Sequence, residues 1–206
     1  MSTTLLIMTL NEIEGLKKIM PRIKKDWVTR ILVIDGGSTD GTLEWLRENK
    51  YEVMVQREKG LRHGYSEFWK DIDTQYVLTF SPDGNSIPEL IPELVAKIEE
   101  TSADMVICSR YLDHAMSHDD DMITSFGNWF FNRCFRLVTI FRSDSKPKIT
   151  DGMVIFRIYR TNLIIELDLI NDKFYKIYEK FLNTKLSWEP LLTARAIKFN
   201  YRIVEI

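Results

Sequence analysis

A chain of 206 residues, 45% hydrophobic and 28% charged, has an ordinary globular make-up and the length of one domain, or of one domain with a lobe. A formal net charge of −2 gives no bulk attraction to nucleic acid, so any anion site has to be built locally. Cys108 and Cys134 show no metal spacing and no disulfide framework, no window approaches the roughly 20 apolar residues of a spanning helix, and no internal repeat is present. The opening MSTTLLIMTLNE has no basic n-region, and its apolar run is too short for a signal peptide. The expectation is a cytoplasmic protein with Cys108, which lies in an apolar run, as a buried thiol.

In chain order, residues 4–9 form a first buried strand, and residues 15–23 a helix with Leu16, Ile19, Met20 and Ile23 on its apolar face. Asn11 and Glu12 lie between them and either face a crevice at the strand's carboxyl end or cap the helix. Residues 31–34 are an apolar run that ends in Asp35, with GGSTDGT directly after it. A run of this length bounded by glycine reads as a strand buried on both faces. Gly36-Gly37 lets the backbone turn sharply and approach a ligand; Ser38, Thr39 and Asp40 are N-cap types, and residues 42–47 are helical. Open parallel α/β sheets bind ligands at such strand ends. An ordinary βα turn uses the same residue types.

Residues 52–56 make a third strand. In the REKGLRHGYSEFW that follows, Gly60 and Gly64 frame Arg62 and His63 ahead of a helix over 65–70, which either receives a phosphate or is a plain surface loop. Residues 76–80 are the fourth strand, and Pro88 opens a helix whose buried face carries Leu90, Ile91, Leu94, Val95 and Ile98. Between them, Asp83 and Asn85 flank Gly84. Two oxygen-bearing side chains at this spacing can share one hard cation whose shell a nucleoside diphosphate completes; an Asx turn is the other use of these residues.

Residues 104–108 are the fifth strand, ending in Ser109-Arg110-Tyr111. The run Asp119-Asp120-Asp121 is either a solvated loop or part of the metal or acceptor region. Residues 124–142 read as an amphipathic, aromatic and basic helix with Arg133 and Arg136 on one face. It either lies on a membrane interface and holds a lipid phosphate or packs on the core. After a basic loop, Thr150-Asp151 lead into a sixth strand over 153–158 and a helical region over 161–182. A last helix runs over 188–198, and 201–206 is a closing strand. Alternating strands and helices define an α/β fold with a mostly parallel sheet.

The first strand is not followed by GxGxxG, and GxxxxGK[ST] is absent, which argues against a dinucleotide dehydrogenase and a P-loop NTPase. The segments resemble instead the inverting family-2 glycosyltransferases of GT-A fold, nearest to the dolichyl-phosphate mannosyltransferase-like branch. The family's P-x-x-N-E is represented by MTLNE, with Met8 for proline, and its D-D/G-G-S-x-D-G-T by residues 35–42. Its D-x-D is represented by Asp83-Gly84-Asn85, with Asn85 for the second Asp; its G-S-R-Y by residues 108–111; and its D-x-x-S-G-F-R by residues 151–157, with the Ser-Gly pair replaced. The closing E-x-x-x-x-A-x-x-x-G-x-x-I-x-E-I runs from Glu189 to Ile206, with Asn200 for the glycine.

This resemblance implies one GT-A domain over 1–206, with a nucleotide-sugar half over 1–110 and an acceptor half over 111–206. It implies that Thr9, Asn11, Glu12, Asp35, Gly37, Asp40 and Asp83 serve the nucleotide-sugar donor. Asp83 and Asn85 would hold Mg²⁺ or Mn²⁺, and Arg110 and Arg133 would bind the acceptor phosphate. The family chain usually continues with proline and a basic segment, so Ile206 reads as an early end and a missing carboxyl-terminal piece is expected. Residues 124–142 are expected to make a peripheral contact with the inner membrane face. The implied reaction is a single inverting displacement of a GDP- or UDP-linked sugar, with the metal stabilising the departing diphosphate. A polyprenyl-phosphate acceptor needs no base; a sugar hydroxyl needs one, for which Asp151 and Glu189 are the candidates. The rival readings are a degenerate, non-catalytic nucleotide-sugar-binding protein and a sugar-1-phosphate nucleotidyltransferase.

Overall fold

The apolar runs pair as strands of one sheet. A computed structural model describes residues 1–84, 86–112, 149–182 and 187–206. Its strands are β1 (Thr3–Thr9), β2 (Arg30–Asp35), β3 (Glu52–Val55), β4 (Tyr76–Phe80), β5 (Met105–Ile107), β6 (Arg157–Arg160) and β7 (Ile203–Glu205). Among the described residues they form the order β3-β2-β1-β4-β6-β5-β7. β6 runs antiparallel to both β4 and β5, and the other pairings are parallel.

The helices are α1 (Ile13–Ile19), α2 (Thr42–Glu48), α3 (Leu61–Phe68), α4 (Ile91–Thr101), α5 (Leu163–Glu166), α6 (Asp172–Leu182) and α7 (Glu189–Lys198). Every residue of β1 is buried, because helices cover both faces of the sheet. Leu16, Leu46 and Leu94 of α1, α2 and α4 pack with Leu5, Val33 and Leu78 on one face. Tyr65, Leu163 and Leu192 of α3, α5 and α7 pack with Leu6, Ile34 and Tyr159 on the other. The chain moves outward from β1 to β3 on one face, then crosses on the opposite face through α3 to β4. That reversal beside β1 is a topological switch point, where such sheets open a crevice at the strands' carboxyl ends.

Several elements differ from the sequence reading; the helix expected over 65–70 begins at Leu61, so Arg62, His63 and Gly64 lie inside α3 rather than ahead of it. The sixth strand begins at Arg157 rather than Met153. The fully buried Arg157 guanidinium donates to the carbonyls of Gly152 (3.3 Å) and Val154 and to Thr193 Oγ1 (2.8 Å), so the segment before it serves a side chain instead of a ladder. The helical region over 161–182 is two helices, α5 and α6. Asp168, at φ 54°, turns the chain out of the first, and Arg195 donates to the carbonyls of Leu167 and Asp168 (2.8 Å). The first helix starts earlier and ends at Ile19, followed by a 3-10 turn over Met20–Arg22; Pro21 lacks the N–H that an α-helical continuation needs.

Trp188, fully buried, joins α7 to α3: its ring stacks on Tyr65 at 4.2 Å and meets Trp69 edge-on at 5.2 Å. Trp188→Ala is expected to cost about 3–5 kcal/mol in urea unfolding, the range for a large aromatic cut out of a core. A loss under about 1 kcal/mol would show that the aromatic cluster is not what holds α7 to the sheet.

Candidate functional site

The carboxyl ends of β1, β2 and β4 lie side by side, with Thr9 opposite Asp35 and Ile7 opposite Phe80. Asp35 is fully buried, and its carboxylate organises the glycine turn. Oδ1 accepts from the backbone N–H of Gly37 (2.9 Å) and of Ser38 (2.8 Å), and Oδ2 accepts from the Ser38 hydroxyl (2.6 Å). Gly37, at φ 90°, supplies the left-handed residue that this turn requires.

The β1 and β2 loops are then tied together. The Asn11 N–H donates to Ser38 Oγ (2.8 Å), and Asn11 Oδ1 accepts from the Thr39 N–H (2.8 Å). The Glu12 N–H donates to Thr42 Oγ1 (3.1 Å). Asp40 accepts from the N–H of Ile13 (3.2 Å) and of Thr42 (3.0 Å). Hydrogen bonding from Thr42 holds the exposed Asp40 carboxyl below its ordinary range.

Two clefts open beside this knot. One, of about 250 Å³, is lined by Thr9, Glu12, Gly36, Gln56, Leu61 and Ser81. The other, of about 270 Å³, is lined by Glu12, Lys18, Arg22, Asp83 and Ser86. Glu12 therefore borders both, and Thr9 and Asp83 each border one. Thr9 is 5% exposed, and its hydroxyl has no hydrogen-bond partner among the described residues. Asn11, Asp35, Gly37 and Asp40 line neither cleft; they shape the wall. Asn85, Arg133, Cys134, the Asp119–Asp121 run and the helix expected over 124–142 lie outside the described residues.

No group of three or more His, Cys, Asp or Glu side chains among the described residues could hold a metal alone. Glu12 and Asp83 share the second cleft, which matches the one or two carboxylates that Mg²⁺ or Mn²⁺ takes when phosphates complete its shell.

On the other side of β4, Arg110 forms an ion pair with the fully buried Asp151. Nε is 2.7 Å from Oδ2 and Nη2 is 3.3 Å from Oδ1. Glu205 of β7 anchors that pair by accepting from the N–H groups of Thr150 (2.9 Å) and Asp151 (3.0 Å) and from the Thr150 hydroxyl (2.8 Å). Sequence reasoning did not single out Glu205, although it stands in the closing I-x-E-I. Arg62, read as a phosphate receiver or a surface-loop residue, is 2% exposed; it pairs with Glu179 (3.1 Å) and lies 4.2 Å over the Tyr175 ring. Cys108 is half-buried, and burial pushes its thiol up to about 11.

Glu189, at the start of α7, is 2% exposed, and neither carboxylate oxygen has a hydrogen-bond partner among the described residues. Burial pushes its carboxyl above the ordinary range, and Arg157 opposes the shift. Burial likewise raises the neighbouring Tyr65 and Tyr159 hydroxyls. The two candidate bases, Asp151 and Glu189, are thus both sealed from solvent.

The family model for glycosyl transferase family 2 matches residues 4–167, and the chain belongs to that family. It is 31% identical over 134 residues to the glycosyltransferase AglJ of Haloferax volcanii, a match covering 63% of this chain and 43% of AglJ. It is 33% identical over 120 residues to a dolichol-phosphate mannosyltransferase of Pyrococcus furiosus, covering 54% and 34% of the two chains. The chain spans less than half the length of these curated relatives. Two solved structures share its GT-A fold. Residues 1–349 of S. aureus TarS superimpose with a TM-score of 0.65 at 17% identity, over 100% of this chain and 58% of that one. Glucosyl-3-phosphoglycerate synthase of Mycobacterium tuberculosis, crystallised with Mn²⁺, UDP and glucosyl-3-phosphoglycerate, gives 0.66 at 12%, over 99% and 68%. No helix among the described residues is long and apolar enough to cross a membrane.

A carboxyl raised in the folded state contributes stability that is fully present below its unfolded value of about 4.3 and is lost as pH rises through the folded value. Replacing Glu189 with Gln removes that loss. The melting temperature of wild type should therefore fall relative to Glu189→Gln as pH rises above about 4.3, a gap that parallel melting curves would rule out.

Proposed function

We propose that this chain transfers a sugar, with inversion, from a GDP- or UDP-linked donor to an acceptor that is a lipid phosphate, using Mg²⁺ or Mn²⁺. The carrying observation is the crevice at the switch point beside β1, bordered by Thr9 with its unpaired buried hydroxyl, by Glu12 and by Asp83. Thr9 and Glu12 contact the donor. The knot of Asn11, Asp35, Gly37 and Asp40 keeps the crevice wall rigid, so little reorganisation is needed when the donor arrives. Asp83, with Asn85, holds the cation, which when bound offsets the charge of the departing diphosphate.

The state of the acceptor-side carboxylates supports an anionic acceptor. Asp151 is fully buried and ion-paired with Arg110, and Glu189 is sealed beneath α3 and β6. Neither offers an oxygen to an incoming hydroxyl, whereas a phosphate acceptor is already ionised and needs no proton removed. The likeness to a dolichol-phosphate mannosyltransferase agrees with that choice. Arg110, held by Asp151, is the acceptor-side cation, with Arg133 as its partner. The whole chain is one GT-A domain divided between donor and acceptor halves near residue 110, and residues 124–142 rest on the inner membrane face.

A thermal-shift panel of UDP- and GDP-sugars, with and without Mn²⁺, tests this reading. At a ligand concentration 100 times Kd, wild type gains about 2.7 kcal/mol. That corresponds to a rise of roughly 5–10 °C for a chain of this size. The gain should be larger with the metal than without it and fall to the metal-free value in Asp83→Ala. A shift of equal size in Asp83→Ala, or one indifferent to Mn²⁺, would contradict the metal role, and donor binding without turnover on any phosphate acceptor would contradict the transferase activity.

A further inference from the structure

Gly15 lies inside α1, where glycine is the poorest residue after proline, and it is not among the glycines with positive φ. Its backbone conformation is open to any residue, so the reason for glycine is space. A Cβ at this position would stand 2.2 Å from the carbonyl oxygen of Pro82, 3.3 Å from the Pro82 carbonyl carbon and 3.3 Å from Glu12 Oε2. The first distance is far inside any real contact, and the opposing atom is backbone that cannot rotate away.

One of the two segments must therefore yield if a side chain is added. α1 is tied through the N–H groups of Glu12 and Ile13 to Thr42 and Asp40, and its Leu16 and Ile19 are buried in the core. The facing segment has left the sheet at Phe80 and passes through Gly84, at φ 90°, before the 3-10 turn at Pro88. Asp83 is the residue directly after Pro82, and it shares a cleft with Glu12 and Gly15.

We propose that Gly15 is a positioning residue for the metal site: by letting the Pro82 carbonyl rest on α1, it sets the place of residues 81–84 and so the placing of Asp83 against Glu12. The metal part rests on the reading given under the proposed function; the hold on the segment does not. A Cβ at residue 15 acts on Asp83 by pushing on the Pro82 carbonyl, and it also stands 3.3 Å from Glu12 Oε2.

The test compares full-length wild type and Gly15→Ala by hydrogen exchange over residues 81–88 and by Mn²⁺ titration in the presence of GDP and UDP. Exchange over 81–88 should rise about tenfold, with the other strand ends unchanged. The Mn²⁺ half-saturation point should rise about tenfold, the range seen when groups that orient a metal ligand are lost, while metal-free nucleotide affinity stays within about twofold. Should Gly15→Ala fail to fold, Gly15→Ala/Pro82→Gly relaxes the facing segment and carries the same expectations. Wild-type exchange over 81–88 together with wild-type Mn²⁺ half-saturation in a folded variant overturns the proposal. Equal loss of metal-free and metal-dependent nucleotide binding overturns it too, because a general structural defect would then account for the effect. If wild type itself ignores Mn²⁺, the metal assignment of Asp83 falls, and the exchange over 81–88 alone decides whether Gly15 holds the segment.

Discussion

Three hydrogen bonds into one buried carboxylate set the conformation at the mouth of this protein. Asp35 ends β2 with no exposure to solvent, and the N–H groups of Gly37 and Ser38 and the Ser38 hydroxyl converge on it. A carboxylate so placed is tolerable only because donors replace the lost water. The turn it imposes puts Ser38 and Thr39 where Asn11 can bond to both, and it starts α2 where Thr42 and Asp40 receive the first turn of α1. The β1 and β2 corners thus behave as one body, and the crevice beside them has a stiff wall on that side.

The opposite wall is made differently. The segment after β4 closely approaches α1, and the Arg22–Glu89 ion pair, at 2.6 Å, ties it on the outside. That ion pair is half-exposed at both ends and adds little stability by itself. On the far side of β4 a held charge recurs: Glu205 on the outermost strand grips Thr150 and Asp151, and Asp151 grips Arg110.

Much of this was readable from residue order. Buried runs such as 31–34 and 76–80, ending at Gly- and Asp-rich corners, announce strands with a ligand edge, because only a sheet covered on both faces keeps such runs apolar throughout. The work of Asn11 and Asp40 could not be read, because their side chains reach the backbone of Thr39 and Ile13 across 28 and 27 positions, which no local pattern encodes, whereas Asp35 bonds two and three residues on. The sixth strand was expected to start too early for a similar reason. Val154-Ile155-Phe156 has strand composition, and only the buried Arg157, reaching back to the carbonyls of Gly152 and Val154, keeps it out of the ladder. Gly15 stood only as the first residue of the expected helix, and its neighbour Pro82 lies on another element.

The account stands or falls on whether donor phosphates and cation occupy the crevice between the carboxyl ends of β1 and β4. A crystal structure of the chain grown with Mn²⁺ and GDP or UDP measures this directly. The expected result is a diphosphate beside Thr9 and Glu12, with an Asp83 oxygen about 2.1 Å from the cation. Nucleotide bound at any other edge of the sheet, or a cation on the diphosphate with Asp83 turned away from it, would contradict the account.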